Sequence, residues 1–318
     1  MSTTLSIPAL DLDDFLSGTI ERKQLFVQQL GNAYEEFGFV AVGNHGVQDE
    51  LVNKFYNLIK EFFARTEEEK KKYEIAELAG QRGYTSFGRE HAKGYDAPDL
   101  KEFWQIGQTV RGDDPIRSQY ADNVDVAEMP DFMETGNRLY RAFESSGREL
   151  LRAIALYLGL DEHHFDPHIR NGNSILRAIH YPPITQEPKS SIRAEQHEDI
   201  NLITLLVGAS ADGLQLLDKK GKWMPITAPE GYIIVNVGDM LQRLTNNKLS
   251  STTHRVVNPP REKWHTDRYS IPFFLHPRSE MSLNCLESCI DSDHPKSYED
   301  ITAGEYLVER LVEIGLKK

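Results

Sequence analysis

Three stretches carry side chains that could do chemistry together: His197-Glu198-Asp199, Thr253-His254-Arg255 and Arg268-Tyr269-Ser270. The last two read as strands, separated by the turn-rich run Asn258-Pro259-Pro260-Arg261-Glu262-Lys263. Position 261 is the midpoint between 254 and 268, so a hairpin centred there predicts Arg268 directly opposite His254. Cross-strand neighbours share a face at roughly 4.5–5.5 Å, and Ser270, two residues on, shares it too. An imidazole able to bind a metal would then stand beside a guanidinium and a hydroxyl suited to one carboxylate.

His-x-Asp occurs three times. With eleven histidines in the chain, chance supplies on the order of 0.7 matches, so context has to separate them. His164-Phe165-Asp166 precedes Pro167 in an irregular segment and reads as surface loop. His265 and Asp267 have the strand parity opposite to Arg268 and Ser270, so they should face away. His197-Glu198-Asp199 opens the strand Ile200 to Val207, where His197 and Asp199 project together and Glu198 turns aside. With a remote imidazole such as His254, these make two histidines and a carboxylate on one face of a metal. About half of an octahedral shell then stays open, which suits non-haem Fe(II), whereas Zn(II) prefers four-coordination and Mg(II) more oxygen ligands. The plainer alternative is three ordinary hydrogen-bonded polar residues. Arg268 in a β core needs an anion, because an unpaired buried charge is costly. A structural Asp or Glu would serve. So would a dianion that chelates the metal at one end and reaches Arg268 and Ser270 with the other, with a further hydrogen bond from Tyr181.

The elements that must position these groups fall into two textures. In the first third, Leu25, Phe26, Leu30, Ala33 and Phe37 recur at helical spacing, and Gly38 to Gly43 reads as a short buried strand. Val52, Phe55, Ile59, Phe62 and Phe63 form a second apolar stripe. An irregular segment spans Gly80 to Asp114. A long helix then carries Phe132, Leu139, Phe143, Leu150, Ile154 and Leu158, with Gly159 placed to end it. From Ser174 onward, short strands alternate with turn signals, among them Asp218-Lys219-Lys220-Gly221. That series favours a sandwich, barrel or jelly roll. A last helix is predicted from Ala303 to Ile314. The fold class is therefore α+β, in one compact unit.

The chain's 318 residues, 39% apolar and 27% charged, match a globular protein with a substantial core. No apolar run approaches the roughly 18 residues needed to cross a bilayer, and Met1-Ser2-Thr3-Thr4-Leu5 lacks the order of a secretory signal. Cys285 and Cys289 are the two cysteines, too few for a disulfide framework and suited to a reducing cytoplasm. A formal charge of −13 argues against nucleic acid as a partner. The acidic-then-basic run Glu67 to Lys72 reads as a solvated helix face. A small anionic ligand remains compatible with a local cationic pocket.

At these residues the chain resembles the isopenicillin N synthase-like branch of the 2-oxoglutarate/Fe(II) oxygenases. Ala33-Tyr34-Glu35-Glu36-Phe37-Gly38-Phe39 leading to Asn44-His45-Gly46 is similar to the family's entry segment, and Leu176-Arg177-Ala178-Ile179-His180-Tyr181-Pro182-Pro183 to its strand before the metal site. His197-Glu198-Asp199, Val237-Gly238-Asp239, Ser251-Thr252-Thr253-His254-Arg255-Val256 and Arg268-Tyr269-Ser270 follow in family order. The resemblance implies a distorted double-stranded β-helix, or jelly roll, flanked by helices. It divides the chain into an N-terminal helix/strand region over 1–125, a connecting helix over 126–170, the catalytic core over 171–280 and a helical extension over 281–318. His197, Asp199 and His254 would bind Fe(II). Arg268 and Ser270, helped by Tyr181, would hold the distal carboxylate of 2-oxoglutarate. With O2, the enzyme would oxidise a small molecule, commonly by hydroxylation, releasing succinate and CO2. Branch members that keep the triad and a similar Arg-x-Ser but use another carboxylate make an oxidative ring closure the alternative. A non-catalytic sensor on the same fold is a third reading. Arg82 and Tyr84, in the segment where the family contacts substrate, and Arg243, in an expected strand where the family carries an apolar residue, are the candidate substrate contacts. His45 and His180 read as structural.

Overall fold

The computed structural model describes residues 7–78, 80–90, 97–110, 112–208 and 212–313. Expectations for the first five residues and for Ile314 lie outside the described residues. The strands are β1 (Ala9–Asp11), β2 (Phe39–Gly43), β3 (Gly83–Thr85), β4 (Glu102–Gly107), β5 (Ile175–Tyr181), β6 (Ala194–His197), β7 (Ile203–Val207), β8 (Leu214–Leu217), β9 (Trp223–Pro225), β10 (Ile233–Val237), β11 (His254–Val256) and β12 (Arg268–Leu275). The α-helices are α1 (Asp13–Leu16), α2 (Ile20–Glu36), α3 (Asp49–Phe63), α4 (Glu67–Lys71), α5 (Pro130–Tyr157), α6 (Asp166–Ile169), α7 (Asp239–Leu244) and α8 (Ala303–Glu313).

One sheet runs β1-β2-β10-β7-β12-β5-β4-β3 and the other β6-β11-β8-β9. All pairings are antiparallel except β1 with β2. Side chains from both sheets line one cavity, as in a jelly roll.

The large sheet is buried on both faces, and period-two alternation divides its side chains between two tasks. On β12, Arg268, Ser270, Pro272 and Phe274 line the cavity, while Ile271, Phe273 and Leu275 enter the hydrophobic core. On β5, Arg177, Ile179 and Tyr181 line the cavity, while Leu176 and Ala178 face the core. That core is closed by α2, α3 and α5. Phe273 stacks on Phe143 of α5 with ring centroids 5.5 Å apart and meets Tyr140 edge-on at 5.0 Å. Helix and sheet approach closely because α5 carries Gly147, where a Cβ would lie 2.3 Å from Leu275 Cδ1. The helix ends as its sequence predicts, at Gly159 with φ +72°.

Four expectations are corrected. His254 and Arg268 are not hairpin partners: β11 pairs with β6 and β8, β12 with β5 and β7, so the two residues lie in different sheets. The turn-rich run between them holds a 3-10 turn at Arg261–Lys263 and crosses from one sheet to the other. The segment from Gly80 to Asp114 is not wholly irregular, since it supplies β3 and β4. Asp199 precedes β7 rather than opening it, because the Ile200-Asn201-Leu202 stretch turns instead of extending. Met240 to Leu244 forms a helix, not a strand.

Replacing Phe273 with Ala should lower the unfolding free energy by about 3–5 kcal/mol, because its stacked partner cannot fill the void. A denaturant midpoint shift at constant slope would show this, and a loss under about 1 kcal/mol would mean the ring is not part of the packed core.

Candidate metal centre and carboxylate pocket

His197 ends β6 and His254 begins β11, and the two are cross-strand partners in the smaller sheet. Their ring centroids lie 4.5 Å apart. Asp199, two residues beyond β6, brings Oδ1 to 4.0 Å from His197 Nε2 and Oδ2 to 3.9 Å from His254 Nε2. One ligand atom from each of the three lies within 4.8 Å of the others.

Each imidazole is oriented by the backbone. His197 Nδ1 donates to the Glu195 carbonyl at 2.7 Å and His254 Nδ1 to the Thr252 carbonyl at 3.1 Å. A proton on Nδ1 leaves the Nε2 lone pair of each ring aimed at the carboxylate. Asp199 Oδ2 accepts from Thr204 Oγ1 at 2.7 Å and Asn236 Nδ2 at 2.8 Å, so Oδ1 is the oxygen left for a cation. Desolvation, with the His254 imidazole alongside, pushes His197 below its ordinary range, which favours a neutral ligand. Burial alone would raise Asp199, but His254, His197 and the two hydrogen bonds outweigh it and hold the carboxyl below its ordinary range.

Local sequence explains the Asp199 loop. The Asp239 amide at the start of α7 donates to the Asp199 carbonyl at 2.7 Å. Gly238 allows that approach, because a Cβ there would fall 2.2 Å from the Asn201 carbonyl oxygen. Without a cation, two lone pairs and a carboxylate would converge unfavourably. The donor set of two imidazoles and one carboxylate fits non-haem Fe(II).

The three ligands stand at the wall of a cavity of about 510 Å³ that Arg268, Ser270 and Tyr181 also line. Arg268 is directly opposite Tyr181 across β12 and β5, with its guanidinium 4.9 Å from the ring centroid. All three are buried. Behind them lies Arg193, which sequence reasoning passed over. Its Nη2 donates to the Thr266 carbonyl at 3.1 Å, and its guanidinium sits 5.9 Å from the same ring. Burial, followed by repulsion from Arg268, lowers Arg193 to about 10. Two buried cations around one tyrosine make a strongly anion-seeking pocket. A lone arginine in an unpatterned stretch carries no signal for this in the sequence.

The candidate substrate residues lie elsewhere. Arg82 packs over Gly107 and donates to the Gln81 carbonyl at 2.7 Å, so Gln81 rather than Arg82 reaches the cavity. Tyr84 pairs with Trp104 on the core-facing side and hydrogen-bonds Glu102. Because Arg243 is helical, it turns onto Tyr298 and Tyr306 and donates to the Glu299 carbonyl at 2.5 Å. None of the three lines the cavity. Of the other His-x-Asp copies, Asp166 pairs with Arg152 at 2.6 Å and Asp267 with His180 at 2.6 Å. His180 also meets Glu102 at 2.7 Å, and His45 accepts from the Val47 amide at 3.2 Å.

A chain of contacts ties the cavity wall to His197. Asp99 Oδ1 accepts from the Glu195 amide at 2.9 Å, and Lys101 clamps Asp99 Oδ2 at 2.7 Å. Glu195 is the residue whose carbonyl orients His197. Asp99→Asn should therefore weaken Fe(II) binding about tenfold, read by anaerobic titration. Asp199→Ala should abolish Fe(II) binding, whereas Asp166→Ala and Asp267→Ala should leave it intact. Unchanged binding in Asp199→Ala would move the centre to another copy of the motif.

Comparison with known proteins agrees with this geometry. Residues 7–131 match the family described as "non-haem dioxygenase in morphine synthesis N-terminal", and residues 172–277 match the 2OG-Fe(II) oxygenase superfamily. The 2-oxoglutarate-Fe(II) type oxidoreductase hxnY of Emericella nidulans is 32% identical over 305 residues, 93% of this chain and 86% of that protein. A crystal structure of a 2OG-Fe(II) oxygenase family protein from Caulobacter crescentus superposes with a TM-score of 0.88 at 43% identity, covering 97% of this chain and 99% of that one. A full-length Neurospora crassa protein, crystallised with alpha-KG and thymine, gives a TM-score of 0.85 at 30% identity, covering 98% of each chain. The chain belongs to the 2-oxoglutarate/Fe(II)-dependent dioxygenases, enzymes that need Fe(II), 2-oxoglutarate and O2.

Proposed function

We propose that His197, Asp199 and His254 hold the ferrous ion, that Arg268 and Ser270 bind the distal carboxylate of 2-oxoglutarate beside Tyr181, and that the enzyme hydroxylates a small molecule held between the sheets. The observation that carries this reading is the convergence of three ligand atoms within 4.8 Å at the wall of the cavity that also contains Arg268. Bound there, the iron supplies O2 activation coupled to oxidative decarboxylation of 2-oxoglutarate to succinate and CO2.

The chain's own residues supply placement and dryness. The Glu195 and Thr252 carbonyls fix both imidazole tautomers. Thr204 and Asn236 hold the carboxylate at one oxygen. Arg268 offers a planar fork whose charge matches a carboxylate. Phe39 packs edge-on against His254 at 5.6 Å, and Leu307 and Leu311 of α8 close another side with apolar surface. Arg310 anchors α8 through Asp239 at 3.5 Å.

The partners follow from the same features. A small organic substrate suits the cavity, as the thymine complex of the Neurospora crassa protein illustrates for that relative. Among the described residues no helix is long and apolar enough to cross a membrane. Both cysteines are buried free thiols, which supports a reducing cytoplasm as the compartment.

Anaerobic titration with Fe(II) and 2-oxoglutarate should produce a metal-to-ligand charge-transfer band, and oxygen should then yield succinate. Absence of both would remove the 2-oxoglutarate reading. Arg268→Ala should raise the 2-oxoglutarate concentration needed for the band roughly 10- to 100-fold while iron affinity changes little. Equal cosubstrate affinity in that variant would refute the assigned role.

A further inference from the structure

Beside β5, two acids and two bases line the cavity as a closed set: Arg177 on the strand itself, and Glu90, Asp99 and Lys101 from the segment that precedes β4. Arg177 Nη1 contacts Glu90 at 3.3 Å, Lys101 contacts Glu90 at 3.0 Å, and Lys101 contacts Asp99 at 2.7 Å. Lys101 and Asp99 are almost sealed, with side-chain exposures of 6% and 5%, whereas Arg177 and Glu90 keep 18% and 19%. Arg177 and Glu90 are therefore the pair that meets a ligand. The guanidinium is held flat against Phe103 at 4.2 Å and near Phe274 at 5.3 Å, with its Nε donating to Gln105 Oε1 at 3.1 Å.

Most of the charges around the remaining space are already paired. Glu90 and Asp99 offset Lys101 and Arg177. Once loaded, a divalent cation and Arg268 offset Asp199 and a dicarboxylate. Arg310 is taken by Asp239 and Glu313. His276, also in the wall, is pushed down to about 4 by burial and stays neutral. Among the described residues lining the cavity, no cation is left over for a substrate carboxylate, and Glu198, which accepts from Thr253 Oγ1 at 2.7 Å, is the one acid outside these pairs. An anionic substrate would enter a confined space without a counter-ion.

Resting on the assignment of iron and 2-oxoglutarate above, we propose that the substrate is a small molecule with an amide-like edge and no carboxylate. Its carbonyl accepts from Arg177, its neighbouring N–H donates to Glu90, and the apolar remainder lies against Phe274 and Leu206. Lactams, cyclic imides and N–H heterocycles have that edge; amino acids and simple carboxylates do not.

The test uses full-length enzyme with Fe(II) and 2-oxoglutarate. 2-Piperidone, glutarimide and uracil would be compared with pipecolate and cyclohexanecarboxylate. Two readouts apply: perturbation of the anaerobic charge-transfer band, and stimulated succinate release under oxygen. The uncharged set should act and the charged set should not. Glu90→Gln and Arg177→Lys should each raise the concentration of the best uncharged compound for half-maximal effect at least about tenfold, with the 2-oxoglutarate requirement unchanged. If the band forms but only the charged compounds act, or if the variants respond like the parent, the substrate inference fails alone. If no band forms, the iron and 2-oxoglutarate assignment fails and takes this inference with it.

Discussion

Two imidazole nitrogens and a carboxylate oxygen aimed at one point repel each other until a cation sits among them, and the fold is organised around keeping them so aimed. None of the three relies on a flexible partner. Backbone carbonyls orient both rings, and a threonine, an asparagine and the first amide of α7 hold the acid and its loop. Preorganisation of this kind means a bound metal also stabilises the folded state by mass action, because the unfolded chain has no comparable site.

The larger sheet makes that rigidity possible. Each of its central strands faces the packed α5 helix with one set of side chains and the reaction space with the other. Stacked aromatics such as Phe143 and Phe273 immobilise the strand whose alternate residues are Arg268 and Ser270. Packing on one face thus becomes positional accuracy on the other, and a loosened core would be felt in the carboxylate pocket before the chain unfolded.

Much of this was legible in the residues, and what was not has physical reasons. Helical stripes and the Gly159 stop are local signals, and α2, α3 and α5 follow them. Selecting His197-Glu198-Asp199 over its two copies rested on context, on Arg268 and Ser270 and on the family resemblance; the strand it was expected to open begins only at Ile203, yet the structure brings His197 and Asp199 to His254. The expected hairpin failed because pairing in a two-sheet barrel is non-local: His254 finds His197, more than fifty residues away, rather than the next strand. Arg243 misled because a six-residue helix and a short strand look alike in an apolar run. Arg193 and the Glu90–Lys101 contact were invisible, since a single buried guanidinium and an isolated ion pair leave no periodic trace.

The pairing of β12 with β5 has one further consequence. Arg268 and Ser270 alternate with Asp267 and Tyr269, and strand side chains reverse direction with every residue. Sliding β12 by a single position would put Tyr269 or Asp267 where the guanidinium now stands, and the second of these would turn an anion trap into an anion barrier. Insertions and deletions within that strand are therefore forbidden in a way that conservative point changes are not. The exposed tip of the crossover at 260–263, whose length does not set the strand's phase, is where such changes are tolerated.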